Sequence, residues 1–184
     1  MTKSTAKWDA KAMLELGTLH AHLEAEGKLD EVMETLIADP VYEFWPIGLR
    51  MRGRNQVRRY YEHLIGQFYS EQKSYRLIEE WLSERSLAQE YEMVVQFDTG
   101  VEAHHVIGIL FAKDGLLGGE RIWGSKAILK KMVGPVWDEL EQTQTETCLG
   151  TPPVAMPKSR SGSSSTTPSS AKKSTPPRAT RLAR

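Results

Sequence analysis

The chain has 184 residues with 24 basic and 24 acidic side chains, and 40% of it is hydrophobic, enough for one domain with a real core. No apolar run reaches the length of a membrane span, and MTKSTAKWDAKAM lacks the apolar segment of a secretory signal. The lone Cys148 excludes an internal disulfide, no CxxC offers zinc ligands, and a reducing, cytoplasmic compartment fits.

Met13, Leu16, Leu19 and Leu23 repeat at helical spacing, and Gly27 ends that helix. Leu29, Val32, Met33, Leu36 and Ile37 predict a second amphipathic helix, closed by Asp39-Pro40. The stretch DPVYEFWPIGLRMRG then reads as a short strand, a turn at Pro46-Gly48 and a second strand. Val57, Tyr60, Tyr61, Leu64, Ile65 and Phe68 mark a third helix.

After that helix the period changes to two. Tyr75, Leu77 and Trp81 alternate with charges; Tyr91, Met93, Val95 and Phe97 form an apolar row; Ala103, His105, Ile107, Ile109 and Phe111 form another. Asp98-Thr99-Gly100 and Lys113-Asp114-Gly115 are turn signals, so these strands are expected to pair as antiparallel hairpins. A last strand ends near Trp123-Gly124, and Ser125 is placed to cap a final helix that Gly134-Pro135 bends or splits.

The zero net charge conceals a division. Residues 151–184 contain seven Lys and Arg and no acid, which leaves 17 basic against 24 acidic side chains in residues 1–150. An acidic body argues against nucleic-acid binding by the folded part. Residues 150–184, dominated by Ser, Thr, Pro and Lys/Arg, are expected to form a disordered basic tail. Two readings of that tail stand: an arm touching nucleic acid weakly or an anionic surface, and a solubilising extension with no partner.

Early helices must pack on one face of a late sheet, and a long twisted antiparallel sheet curls around them. The expected fold is α+β, a cone-shaped curved antiparallel sheet wrapped around N-terminal helices, with a small-molecule pocket at its open end. This order of elements, with GKLDEVMETLIADPVYEFWPIG, VRRYYEHL and AKDGLLGGERIWG, resembles the nuclear transport factor 2-like superfamily, including ketosteroid isomerase, scytalone dehydratase and the SnoaL-like polyketide cyclases. The resemblance covers about residues 9 to 144 and implies a SnoaL-like α+β barrel domain over 9–146, dimeric through the outer face of its sheet, with no cofactor.

In ketosteroid isomerase the base carboxylate precedes the proline of a strand resembling EFWPIG; here that position is Trp45. The isomerase's oxyanion-binding tyrosine falls near His20, its protonated aspartate near Ile107, and its third-helix tyrosine on Tyr61. Only Tyr61 agrees, so the resemblance does not imply that enzyme's own chemistry. It does place Glu120 on a pocket-facing position, and His105 follows if Ile107 faces inward. His20 lies on the inward stripe of the first helix.

The candidate catalytic residues are His105 as base or acid, Glu120 orienting it and Tyr61 holding a substrate oxygen; His20, Tyr42, Trp45 and Ile107 would bind the substrate. A histidine beside a carboxylate in an apolar cavity suits enolisation, cyclisation or dehydration. A histidine in an apolar row also reads as a satisfied core residue, and that alternative stands beside the catalytic one. His20-Ala21-His22 on a helix and His104-His105 on a strand point to different sides, so neither pair is read as a metal site. Two functions remain open: a cofactor-independent isomerase, cyclase or dehydratase acting on a hydrophobic cyclic molecule, and a noncatalytic ligand- or protein-binding module.

Overall fold

The computed structural model describes residues 8–143. Asp9 opens the first helix, α1 (Ala10–Ala25), by accepting from the Ala12 N–H at 3.0 Å. Gly27, at φ 71°, turns the chain out of it. Met13, Gly17, His20 and Leu23 form the buried stripe of α1, while Leu19 is left 49% exposed.

The second helix, α2 (Leu29–Glu34), is shorter than its apolar pattern predicts. Leu36 and Ile37 begin a strand, β1 (Leu36–Trp45), instead of extending α2. Thr35 ends α2 by donating its hydroxyl to the Val32 carbonyl at 2.6 Å, and Pro40 sits where the ladder of β1 is interrupted. The chain turns at Pro46-Gly48 into β2 (Leu49–Arg52). The third helical segment is continuous: α3 (Arg54–His63), a π-helical turn (Leu64–Phe68) and α4 (Tyr69–Glu71).

Four long antiparallel strands follow, β3 (Gln72–Leu82), β4 (Ser86–Phe97), β5 (Gly100–Lys113) and β6 (Leu116–Trp123). Ser125 caps α5 (Lys126–Val133) by accepting from the Ile128 N–H, and Gly134-Pro135 converts its continuation into a 3-10 turn over Gly134–Glu139. The short β7 (Glu141–Gln142) closes the edge beside β2. The curved seven-stranded sheet has the order β3-β4-β5-β6-β1-β2-β7.

One pairing departs from the antiparallel expectation. β1 and β6 run parallel, with Tyr42 opposite Glu120 and Phe44 opposite Ile122. Parallel neighbours need a long crossover, which the segment from β2 to β5 supplies. The core lies between the concave face of the sheet and the helices, where Tyr42, Phe44, Tyr60, Tyr61, Phe68 and Ile122 are all buried.

A bulge in β6 decides what reaches that concave face. Ala112 pairs with Leu117, but Phe111 pairs with Gly119, so Gly118 is an extra residue on β6. Gly119 sits at φ 136° with the Val41 backbone pressed against it, leaving no room for a side chain. An unbroken ladder from the Asp114-Gly115 turn would set Glu120 opposite Ile109; the bulge sets it opposite Leu110.

Candidate functional site

A cavity of about 550 Å³ lies between α1, the α3–α4 segment and the concave faces of β3 to β6. This is within the usual range for small-molecule sites. Leu64, Phe68, Leu87, Met93, Leu110 and Met132 supply apolar wall, and Tyr60, Tyr69, Tyr75 and Tyr91 supply rings. The exposed lining residues are Ala21, Ala25, Ser74 and Tyr75, so the opening lies between α1 and β3.

Two carboxyl groups and one imidazole reach the cavity: Glu24 and His20 from α1, and Glu120 from β6. Glu24 follows His20 by one helical turn, and its side chain keeps 19% of its surface accessible. It accepts the Tyr69 hydroxyl hydrogen bond. Burial pushes its carboxyl up to about 7, with the Tyr69 bond opposing that rise. Glu120 has no hydrogen bond or ion pair among the described residues. Burial, and then the charge of Glu24, push its carboxyl up to about 8.

His20 is neutral, because burial lowers its pKa to about 4. Its tautomer follows from Thr35, whose only hydroxyl proton is donated to the Val32 carbonyl. The Thr35 oxygen therefore accepts from His20 Nδ1–H at 2.6 Å, and His20 Nε2 accepts from the Tyr61 hydroxyl at 2.8 Å. The Tyr61 oxygen in turn accepts from the Tyr42 hydroxyl at 2.8 Å. The proton order along Tyr42, Tyr61, His20 and Thr35 is thus fixed in one direction. Burial raises both tyrosine pKa values, so both hydroxyls keep their protons.

Of the residues singled out in the sequence, the fold brings His20 and Glu120 to the cavity. Tyr42 and Tyr61 stand behind His20 in the core and hold it, so Tyr61 is not positioned to touch a substrate. His105, Ile107 and Trp45 face the other way. The His105 side chain is 62% exposed on the convex face, at 3.6 Å from Glu90 and 3.4 Å from Glu92. Ile107 pairs with Trp123, and Trp45 stacks on Trp123 at 6.3 Å between ring centres. With Tyr42 and Phe44 inward, strand alternation sends Trp45 outward. A catalytic His105–Glu120 pair is therefore ruled out, because the two side chains lie on opposite faces of the sheet.

Glu24, Tyr69 and Tyr91 were not anticipated. Glu24 was within reach of the helical pattern, since the residue four after an inward His20 shares its stripe. Among the described residues no group of three or more His, Cys, Asp or Glu side chains could hold a metal ion. No helix among them is long and apolar enough to cross a membrane.

The curved sheet wrapped on helices, with a cavity at the open end, is the nuclear transport factor 2-like fold. No family model matches the chain, and no curated protein matches it in sequence. Solved structures do. Bal32a, from a soil-derived mobile gene cassette, is similar over 71% of this chain and 96% of its own, with TM-score 0.54 and 13% identity. A protein of Kribbella flavida DSM 17836, provisionally named a ketosteroid isomerase, is similar over 64% of this chain and 80% of its own, with TM-score 0.52 and 16% identity. A de novo designed protein with a curved β-sheet is similar over 76% and 99%, with TM-score 0.52 and 14% identity. Likeness at this identity is likeness of fold.

Proposed function

We propose that this chain binds a hydrophobic cyclic small molecule in the cavity and moves protons on it without a cofactor, as an isomerase, cyclase or dehydratase. One observation carries this reading: Glu24 and Glu120 share one largely apolar cavity, and burial moves both carboxyls toward neutral pH. Like charges so placed resist joint ionisation, so near neutrality the pair holds one proton. Glu24, the more acidic member, is the base: its carboxylate takes a proton from the carbon beside a carbonyl. The C–H electron pair becomes the C=C of an enolate as the carbonyl π pair moves onto oxygen, and protonated Glu120 hydrogen-bonds that oxygen. The provisional isomerase name of the Kribbella flavida structure agrees with this chemistry.

The test is deuterium exchange of 2-tetralone in D2O, followed by proton NMR. The full chain is expected to accelerate exchange next to the carbonyl, and Glu24→Gln to cut that rate on the order of a hundredfold. Exchange at the buffer rate, or unchanged in Glu24→Gln, overturns the catalytic assignment. The rival reading is binding without turnover. It is favoured by Trp45, which occupies the isomerase's base position and points out of the cavity. Thermal stabilisation by 2-tetralone without exchange would select it.

We also infer a homodimer formed through the convex face. Trp45, Trp123, Ile107 and Ile109 are only partly covered there, beside the Glu43–Arg121 ion pair. Arg50 Nε and Arg121 Nη2 are buried on that face without a hydrogen-bond partner among the described residues. A cytoplasmic setting is consistent with the single cysteine. The proposed tail, residues 150–184, lies outside the described residues; nucleic-acid affinity at low salt, with and without it, tests the basic arm.

A further inference from the structure

The cavity has a one-sided charge. Among the described residues, its only ionisable side chains besides tyrosines are Glu24, Glu120 and the neutral His20, and no Lys or Arg lines it. The nearest cation in sequence, Arg121, follows Glu120 on the strand and points to the opposite face, where it pairs with Glu43 at 3.2 Å. The Glu120 side chain is half-buried and turned into the cavity. It has no hydrogen-bond or ion-pair partner among the described residues. Burying such a group is costly until something pairs with it.

The walls match that charge. Tyr75 and Tyr91 stand with ring centres 5.1 Å apart at 37°, and Tyr60, Tyr69 and Phe68 add further ring surface. Aromatic faces carry partial negative charge and attract ammonium groups within about 6 Å. The body around the cavity is itself acidic, with 17 basic against 24 acidic side chains in residues 1–150, which favours the approach of cations. An anionic ligand would meet two carboxyls and no counter-charge. A neutral ligand can at most hydrogen-bond Glu120 and brings no counter-charge for its carboxylate.

We propose that the ligand of this cavity is a lipophilic cyclic amine, bound as its ammonium ion against the tyrosine rings and paired with the Glu120 carboxylate. This inference rests on the reading of the cavity as the ligand site. For such a substrate Glu120 is the counter-ion, Glu24 remains the base, and tyrosine hydroxyls are left to meet a substrate oxygen.

The experiment is calorimetric titration of the full chain at neutral pH with two compounds of similar shape. N-Benzylpiperidine is an ammonium ion under these conditions; N-benzoylpiperidine is its neutral amide counterpart. The amine is expected to bind at least about tenfold more tightly. In Glu120→Gln that preference is expected to vanish, and circular dichroism with thermal unfolding of the variant reports whether the fold is intact. Glu24→Gln, whose native carboxyl already accepts from Tyr69, is expected to weaken amine binding less. Equal binding of the two compounds, a preference that survives Glu120→Gln, or no amine binding overturns the inference. Because 2-tetralone is neutral, its exchange without amine preference overturns the cation site alone. Amine preference without exchange overturns the catalytic reading alone.

Discussion

The Glu120 carboxyl lies over the backbone of Gly108: a Cβ built on Gly108 would collide with Glu120 Oε1. The acid occupies its place because Gly108, two residues before its ladder partner Leu110 on β5, has no side chain. Gly108→Ala is therefore expected to push the carboxyl aside, at a stability cost below about 1 kcal/mol because the displaced atom ends a flexible side chain, and to slow 2-tetralone exchange. Thermal unfolding and the NMR exchange rate measure the two effects.

The cavity groups give stability a definite pH dependence. Glu24 and Glu120 rise from 4.5 to about 7 and about 8, so across that interval the folded chain holds protons that the unfolded chain has released. Their contribution is present at low pH and is lost as pH rises through the folded values. His20 falls from 6.5 to about 4, so its contribution is present above 6.5 and is lost as pH falls toward 4. Above 6.5 the carboxyls act alone. Stability measured by urea unfolding is expected to decline between about pH 6.5 and 8.5, on the order of 1 kcal/mol per unit. Glu120→Gln should flatten that decline.

Tyr61 joins two neighbours, donating to His20 and accepting from Tyr42. Tyr61→Phe leaves His20 Nε2 and the Tyr42 hydroxyl without these buried partners, at a cost of about 1–3 kcal/mol. Tyr42→Phe combined with it is expected to cost less than the sum of the single changes, because both remove the same bond. Denaturant unfolding of the three variants measures the coupling.

His105 should matter little to the cavity. Its side chain is 62% exposed on the convex face, beside Glu90 and Glu92. His105→Ala is expected to change stability by no more than about 0.5 kcal/mol and to leave 2-tetralone exchange as it was. A large fall in exchange would mean that catalysis takes place elsewhere.

If the convex face joins two copies, a charge at its centre should separate them. Trp45→Glu is expected to convert a dimer into a monomer in sedimentation experiments, because it breaks the stack on Trp123. A wild-type monomer at micromolar concentration would end the dimer reading.

The helices and most strands were legible because their apolar spacing is set by burial on one side. Met13, His20 and Leu23 on α1, and Val57, Tyr60, Tyr61, Leu64 and Phe68 on the third helical segment, are buried as their spacing predicts. On β4, Met93 and Val95 face the core as expected. The failures share a cause in local irregularity. Leu36 and Ile37 continue a helical pattern across a boundary that Thr35 sets. The inward face of β5 is offset by one residue from the alternation expected, so Val106 and Gly108 face inward in place of His105 and Ile107. Glu120 lies at the cavity, whereas its expected partner His105 lies on the opposite face of the sheet. Gly118 gave the bulge no sequence signal distinct from an ordinary flexible residue.

That extra glycine makes chain length along β6 a determinant of what lines the cavity. Which side chains face inward depends on parity, so loss of one position would exchange the chemistry of the interior with that of the outer wall while every later side chain kept its identity. In distant relatives of this fold, a one-residue gap near this turn would then mark a change of activity more surely than several substitutions.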